Sequence, residues 1–319
     1  MAEKTIEQRV TVWDGQRISK PGIYSRVPLD AYHGQDILDG PSVSSSNLRL
    51  LCSKSPKHFY DKWSGNPGRD DDEPSKSMIL GRAAHHLALG QANFAKEFAM
   101  PPDEYPDKDT GELKKWTYGA AYCKRWRAKQ QKLGLTVLSQ DMSPAIIGMS
   151  RELARNPIVR NGGLGGLVEH SIFMRDEQTG LWIKVRPDAI PTTSVDAVDL
   201  KTIHSVLYDD IHNAIFECGY HQQAALTLDA FRLVLGMKSP TFTFVFVESK
   251  RPFCVVPYEP KMEMIDKGRQ QNRWALDKIA RCIEHKEWPG PANDGADVRY
   301  VEFKEWAQKR IDAQLEFEQ

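Results

Sequence analysis

The chain changes character near residue 167. Beyond that point VEHSIFMR, LWIKVRPDAIP and SVDAVDLKTIH are short runs rich in β-branched and aromatic residues, separated by the turn-forming D-E-Q-T-G and Pro/Thr/Ser segments. A helix is predicted from about 209 to 235, stopping at Gly236, then two more strands, FTFVFVES and FCVVPYEP, and helices over 260–285 and 303–314. Helices, then a strand meander, then a crossover helix and further strands imply one mixed α/β domain with a central mixed sheet flanked by helices.

Upstream, residues 1–40 read as an N-terminal arm with strand-like pieces at Gln8–Trp13 and Gly22–Val27, leaving 41–319 as a single domain. A helix is expected from Ser45 or Ser46, with Leu48, Leu51 and Cys52 as its buried stripe. A second begins at Pro56 behind Ser55 as cap. Further helices are expected over 76–90, 116–133 and 143–155. The acidic run Asp70 to Glu73 reads as solvated loop. The 116–133 helix interleaves Lys124, Arg125, Arg127, Lys129 and Lys132 with Tyr118, Tyr122 and Trp126. That pattern suits phosphate contacts or an ordinary solvated amphipathic face, and both readings stay open.

Composition narrows the class. The 43 basic residues balance 43 acidic ones, which excludes a general polycation that coats nucleic acid and leaves room for local basic patches. No apolar run approaches the ~18 residues of a membrane span, and the first residues carry no apolar signal core. The five cysteines stand singly, without a C-x-x-C pair. This pattern fits reduced thiols in a cytoplasmic protein and argues against a zinc site or an iron–sulfur cluster.

The chemistry concentrates in Arg186-Pro187-Asp188, ten intervening residues, and Asp199-Leu200-Lys201. Side chains two apart on a strand share a face, so Asp199 and Lys201 project together while Val198 and Leu200 face the core. Asp188, across a short turn, can reach the same patch, as can Glu169 at the start of the alternating VEHSIF strand. Three carboxylates on one face repel one another unless a divalent cation sits among them, and open sites of hard oxygen ligands select Mg²⁺ or Mn²⁺. An adjacent lysine can orient a water or steady the charge that builds on a phosphate. The combination points to metal-assisted phosphodiester hydrolysis; a lone D-x-K would read as a solvated sheet face with cross-strand ion pairs.

In these motifs the chain resembles the PD-(D/E)XK nuclease superfamily with its restriction-endonuclease-like core, and within it the RecE-like exonuclease VIII family, related to lambda exonuclease. Gly81-Arg82-Ala83-Ala84-His85 matches that family's G-x-A-x-H helix, Glu169 its strand glutamate, and Arg186-Pro187-Asp188 and Asp199-Leu200-Lys201-Thr202 its R-P-D and D-L-K-T elements. Tyr220-His221-Gln222-Gln223 matches Y-H-x-Q, and Trp288-Pro289 and Trp306 match the ending. Thr227 departs from the pattern, which usually has a tyrosine there.

The resemblance implies a Mg²⁺-dependent exonuclease, with Mn²⁺ able to substitute. It would resect one strand of linear double-stranded DNA from the 5′ end and leave 3′ tails for recombination. It assigns His85, Glu169, Asp188 and Asp199 to metal, Lys201 to catalysis, and Gln223, Tyr220 and Arg186 to substrate. It further implies a ring-shaped homo-oligomer working beside a single-strand annealing recombinase. The alternatives are another PD-(D/E)XK nuclease, either an endonuclease or a Cas-associated enzyme, and a catalytically silent DNA-end-binding protein of the same fold. A small-molecule metallohydrolase is less compatible, because the paired histidine ligands are missing.

Overall fold

The computed structural model describes residues 5–70, 73–90, 94–291, 298 and 300–316, so Asp71 and Asp72 of the acidic run lie outside the described residues. The D-E-Q-T-G turn does close a hairpin. Strands Ser171–Arg175 and Trp182–Val185 pair antiparallel, with Gly180 supplying the left-handed backbone (φ 73°) that the turn needs. This hairpin lies within a five-stranded sheet. Gly22–Ser25 adds antiparallel to Ser171–Arg175 and carries Val10–Val12 parallel on its outer side, while Ser42–Ser44 adds parallel to Trp182–Val185. The strand-like pieces of the first forty residues are therefore integral to the sheet. The β structure is mixed and flanked by helices, as the sequence implies.

Two expected elements are broken. VEHSIF is not one strand: Leu167–Val168 pairs with Ala189–Ile190, and the chain turns at Glu169, which has φ 55°, before Ser171 starts the next strand. The 209–235 helix is two, Tyr208–Glu217 and Tyr220–Leu233, separated at Gly219 with φ 62°. A left-handed residue cannot continue an α-helix, and glycine adopts that conformation without steric cost. The basic helix is also shorter than expected, Ala121–Lys132.

Asp196–Ile203 runs parallel and in register with Thr241–Glu248, which pairs antiparallel with Val255–Tyr258. Strand alternation sorts this three-stranded sheet into two faces. Val198, Leu200, Val245 and Val247 pack under helices Lys76–Ala88 and Met142–Arg155. Ala197, Phe242, Phe244 and Phe246 join the larger core beneath the Tyr220–Leu233 helix. That helix is buried along most of its length, with Met262–His285 against it; a Cβ on Gly268 would stand 2.5 Å from His221 O, so only glycine permits this approach.

Ser44 and Asn47 form a reciprocal capping box at the start of Ser45–Ser53, and Ser55 caps Pro56–Lys62 through the His58 N–H. Trp288 stacks on Tyr60 and packs beside Phe59 and Trp63. Among the described residues no helix is long and apolar enough to cross a membrane.

Candidate active site

Asp196–Ile203 is the edge strand of its sheet. Its Leu200 N–H therefore has no strand to donate to, and Asp188 Oδ2 accepts from it at 2.7 Å. This bond brings the Arg-Pro-Asp segment onto the Asp-Leu-Lys strand, as the motif spacing suggested. Asp199 and Lys201 share a face: the ammonium lies 2.5 Å from Asp199 Oδ2, and Asp199 is 3 % exposed. From the helix layer on that side, Gln223 donates through Nε2 to Asp199 Oδ1 at 2.8 Å. From the opposite layer, His85 reaches Asp188, Nδ1 to Oδ1, at 3.5 Å. The open sheet edge is where the two layers can meet.

Gly81 explains how the helix bearing His85 comes so close. A Cβ there would stand 3.0 Å from Thr202 Oγ1, one residue beyond Lys201. Ala83 and Ala84 are buried in the same packing. The neighbouring histidine has a different setting: His86 is buried edge-on between Phe94 and Phe98, with Nε2 3.7 Å from Glu97. Of the two, His85 is the one that faces the carboxylates.

Tyr220 begins the Gly219-started helix, and its ring lies between two cations. Lys201 Nζ is 4.9 Å from the ring centre and the Arg49 guanidinium 5.9 Å. Phe244 and Phe246 support the ring from the sheet. Arg49, which also donates to Cys218 O at 2.7 Å, is a cation at the site that motif matching passes over. Its only sequence signal is an arginine within the otherwise apolar and serine-rich Ser45–Ser53 helix. Thr227, at the position of the usual tyrosine, is buried and donates to Gln223 O at 3.0 Å, one turn below the glutamine.

Two further expected residues have internal partners. Arg186 donates through Nε and Nη2 to Ser171 Oγ (2.9 and 2.7 Å) and through Nη2 to Val27 O (2.8 Å), and stacks over Tyr32 at 4.3 Å. These contacts bind the N-terminal strands to the hairpin just before Asp188. Glu169 does not open a strand on the carboxylate face; its backbone N–H donates to Asp188 O at 3.1 Å, and its charge acts on Arg186 and Tyr32.

The titrations interlock. For Asp188, burial pushes the pKa up, but the His85 charge and contact, Lys201 and the Leu200 N–H outweigh it and hold the carboxyl below its ordinary value. For Asp199, burial prevails with the repulsion of Asp188 added, and the pKa is raised despite Lys201. His85 is depressed by burial but raised overall by Asp188. Two carboxylates close enough to repel each other are the arrangement a divalent cation relieves.

Among the described residues, no three His, Cys, Asp or Glu side chains are already gathered as a metal cluster. The site nonetheless fits one. Asp199 Oδ2, apart from the close ion pair, and Gln223 Oε1 are buried without a well-directed hydrogen bond. Buried oxygens are seldom left so, and hard oxygen donors around a carboxylate pair suit Mg²⁺ or Mn²⁺.

Comparison with one solved structure agrees with this architecture. Among solved structures, a Eubacterium rectale protein provisionally described as an exonuclease superposes with a TM-score of 0.57 at 15% identity, covering 89% of this chain and 98% of its own. A phage-related exonuclease from Haemophilus somnus matches at 15% identity over 64% of this chain and 95% of its own, with a TM-score of 0.29. A comparison with curated proteins found no match. Residues 44–299 match the PDDEXK-like domain of unknown function DUF3799. With that match spanning both the Asp188 segment and the Asp199–Lys201 strand, the chain belongs to the PDDEXK-like DUF3799 family.

Proposed function

We infer that the protein is a divalent-cation-dependent DNA exonuclease, acting 5′ to 3′ on one strand of linear duplex DNA and leaving 3′ single-stranded tails. The observation that carries this reading is the Asp188–Asp199 pair at a sheet edge, Asp199 buried and Asp188 partly exposed, with Lys201 2.5 Å from Asp199 and His85 3.5 Å from Asp188. The PDDEXK-like family supports it, because that fold's carboxylate–lysine set suits phosphodiester hydrolysis.

Asp188 and Asp199 would hold Mg²⁺, or Mn²⁺ in its place, with His85 beside them; Glu169 belongs to the set on the sequence resemblance alone, since its charge acts on Arg186 and Tyr32. When bound, the cation polarises the scissile phosphate. Lys201 orients the attacking water and offsets charge building on the phosphate, a role in which a single positioned donor is worth roughly 3–4 kcal/mol. Gln223 steadies Asp199 through Nε2 and leaves Oε1 for a substrate or water contact. Tyr220 sets the position of Lys201, and Arg186 sets that of the Asp188 segment. A ring-shaped homo-oligomer and a single-strand annealing partner belong to the same reading, on the strength of the sequence resemblance.

The test is linear duplex labelled at either end, incubated in Mg²⁺ and in EDTA beside a closed circle, with Asp188→Ala in parallel. Metal-dependent release of the 5′ label, a spared circle and an inactive variant are expected. Nicking of the circle would replace this reading with an endonuclease. Duplex binding without digestion in either Mg²⁺ or Mn²⁺ would replace it with a silent DNA-end-binding protein.

A further inference from the structure

The chain is electrically neutral as a whole, yet its cations are not spread evenly. The Ala121–Lys132 helix carries Lys124, Arg125, Arg127, Lys129 and Lys132 and no acidic residue. Its buried side is Cys123, with Trp126 half-buried and edge-on to Trp116. Lys124, Arg125, Lys129 and Lys132 are all exposed, and at 100° per residue they fall on one side of the helix, opposite Cys123. Arg125, Lys129 and Lys132 follow one another at i, i+4, i+7. Like charges at such spacings weaken a helix by a few tenths of a kcal/mol per pair. Lys129 and Lys132 lie in the last turn, where the helix dipole favours cations, but that leaves Lys124 and Arg125 without a helix-stabilising reason.

Aromatic rings flank the face. Tyr118 and Tyr122 are exposed; Arg127 lies 5.2 Å over the Tyr118 ring, and Tyr122 stacks on Tyr105. The adjoining hairpin, Glu104–Pro106 with Leu113–Lys115, sets Glu104 opposite Lys115 and pairs Lys114 with Asp107 at 2.6 Å, so among the described residues the unpaired cationic face belongs to the helix itself. The excursion is not a free appendage. Phe98–Ala99 and Thr136–Val137 close its base as a parallel ladder, and Arg82, three residues before His85, donates to Thr136 Oγ1 at 2.5 Å. The helix bearing His85 and the basic helix are thus parts of one connected framework.

We propose that the exposed face of the Ala121–Lys132 helix is a grip for the phosphate backbone of duplex DNA outside the catalytic site. The proposal rests on the nuclease reading for the identity of its partner. Duplex DNA presents one negative charge per ~1.7 Å of axis, and each phosphate neutralised by a lysine or arginine releases counterions and steepens the salt dependence of binding by about 0.9 in log–log slope. Four exposed cations over the roughly 12 Å of axis from Lys124 to Lys132 stand about one per 3 Å, near the ~3.4 Å phosphate spacing of one strand, with no requirement for base recognition.

The experiment compares the full chain with a Lys124→Gln, Arg125→Gln, Lys129→Gln, Lys132→Gln variant. Affinity for a blunt 30-base-pair duplex is measured in EDTA over a salt series, and hydrolysis of the p-nitrophenyl ester of thymidine 5′-phosphate is measured in Mg²⁺. A slope shallower by about 3.6, with small-ester hydrolysis unchanged, is expected. A Lys124→Arg, Lys129→Arg, Lys132→Arg variant should keep the native slope. An unchanged slope in the glutamine variant overturns the proposal, and the face is then an ordinary solvated one. It is equally overturned if the native chain hydrolyses the small ester but has no salt-dependent duplex affinity. A slope difference in a chain that hydrolyses neither the ester nor DNA keeps the grip and removes the nuclease reading.

Discussion

Lys201 is held between a carboxylate it neutralises and an aromatic face it lies over. The Asp199 ion pair sets one direction of its approach; the Tyr220 ring, 4.9 Å from Nζ, sets another. A desolvated cation–π contact is worth roughly 1–2 kcal/mol. Tyr220→Leu should therefore lower kcat for duplex digestion about 5- to 30-fold, while Tyr220→Phe, which keeps the ring, stays near the native rate. If the tyrosine hydroxyl contributed instead, both variants would fall together. The split between them in kcat, with KM for duplex measured alongside, separates positioning of the lysine from substrate binding.

The G-x-A-x-H helix illustrates how an element rather than a side chain sets the site. Glycine inside a helix costs about 1 kcal/mol relative to alanine, so Gly81 needs a reason, and Thr202 Oγ1 at 3.0 Å from the missing Cβ supplies it. Gly81→Ala in the native chain should gain little or lose stability, because the clash offsets the propensity gain. With Thr202→Ala already present the oxygen is gone, and Gly81→Ala should then stabilise by roughly 0.5–1 kcal/mol. Urea unfolding of the four-member cycle reads this coupling. Additive effects would mean that the helix is held off the strand by some other contact.

At the scale of the whole molecule, the hairpin of residues 171–185 that leads into Asp188 is tied through its turn to the Met262–His285 helix. Arg273 forks onto Asp176 with bonds of 2.7 and 3.1 Å, and Thr179 donates to the same carboxylate through its N–H and hydroxyl. Burial pushes the Asp176 pKa up, but the Arg273 and Thr179 bonds outweigh it and the pKa is lowered. A carboxyl depressed in the folded state stabilises the fold above its unfolded pKa of about 3.9. That stability is lost as pH falls through the folded value. Since Arg273 is about one-third exposed, solvent screening limits the pair. Asp176→Asn should cost about 1–2 kcal/mol at pH 7 in urea unfolding, and the gap from the native chain should narrow progressively as pH falls below about 3.9 and on through the depressed folded value. A gap that stays constant down to the lowest pH at which both chains fold would assign the loss to packing of the turn instead of charge.

Local rules carried much of this protein into view. Strand alternation put Asp199 and Lys201 on one face and Leu200 in the core, helix caps at Ser44 and Ser55 stood where the serines suggested, and the short gap between Asp188 and Asp199 allowed the two carboxylates to meet. Such features depend on neighbours a few residues apart, whose sterics and periodicity are present in the chain itself. The break at Glu169 was hidden, because V-E-H-S-I-F reads as one alternating strand and no glycine marks the positive φ; at Gly219 the glycine was visible, but a single glycine inside a helical pattern need not end the helix. Hidden too were the place of Arg49 beside Tyr220 and that of Arg186, whose partner Val27 lies 159 residues away. The amino-acid order by itself determined which groups this site can use and which strands present them. Tertiary structure decided which cations face the carboxylates, which close the fold, and where a free sheet edge leaves the site open, because those outcomes depend on contacts between segments that no local pattern joins.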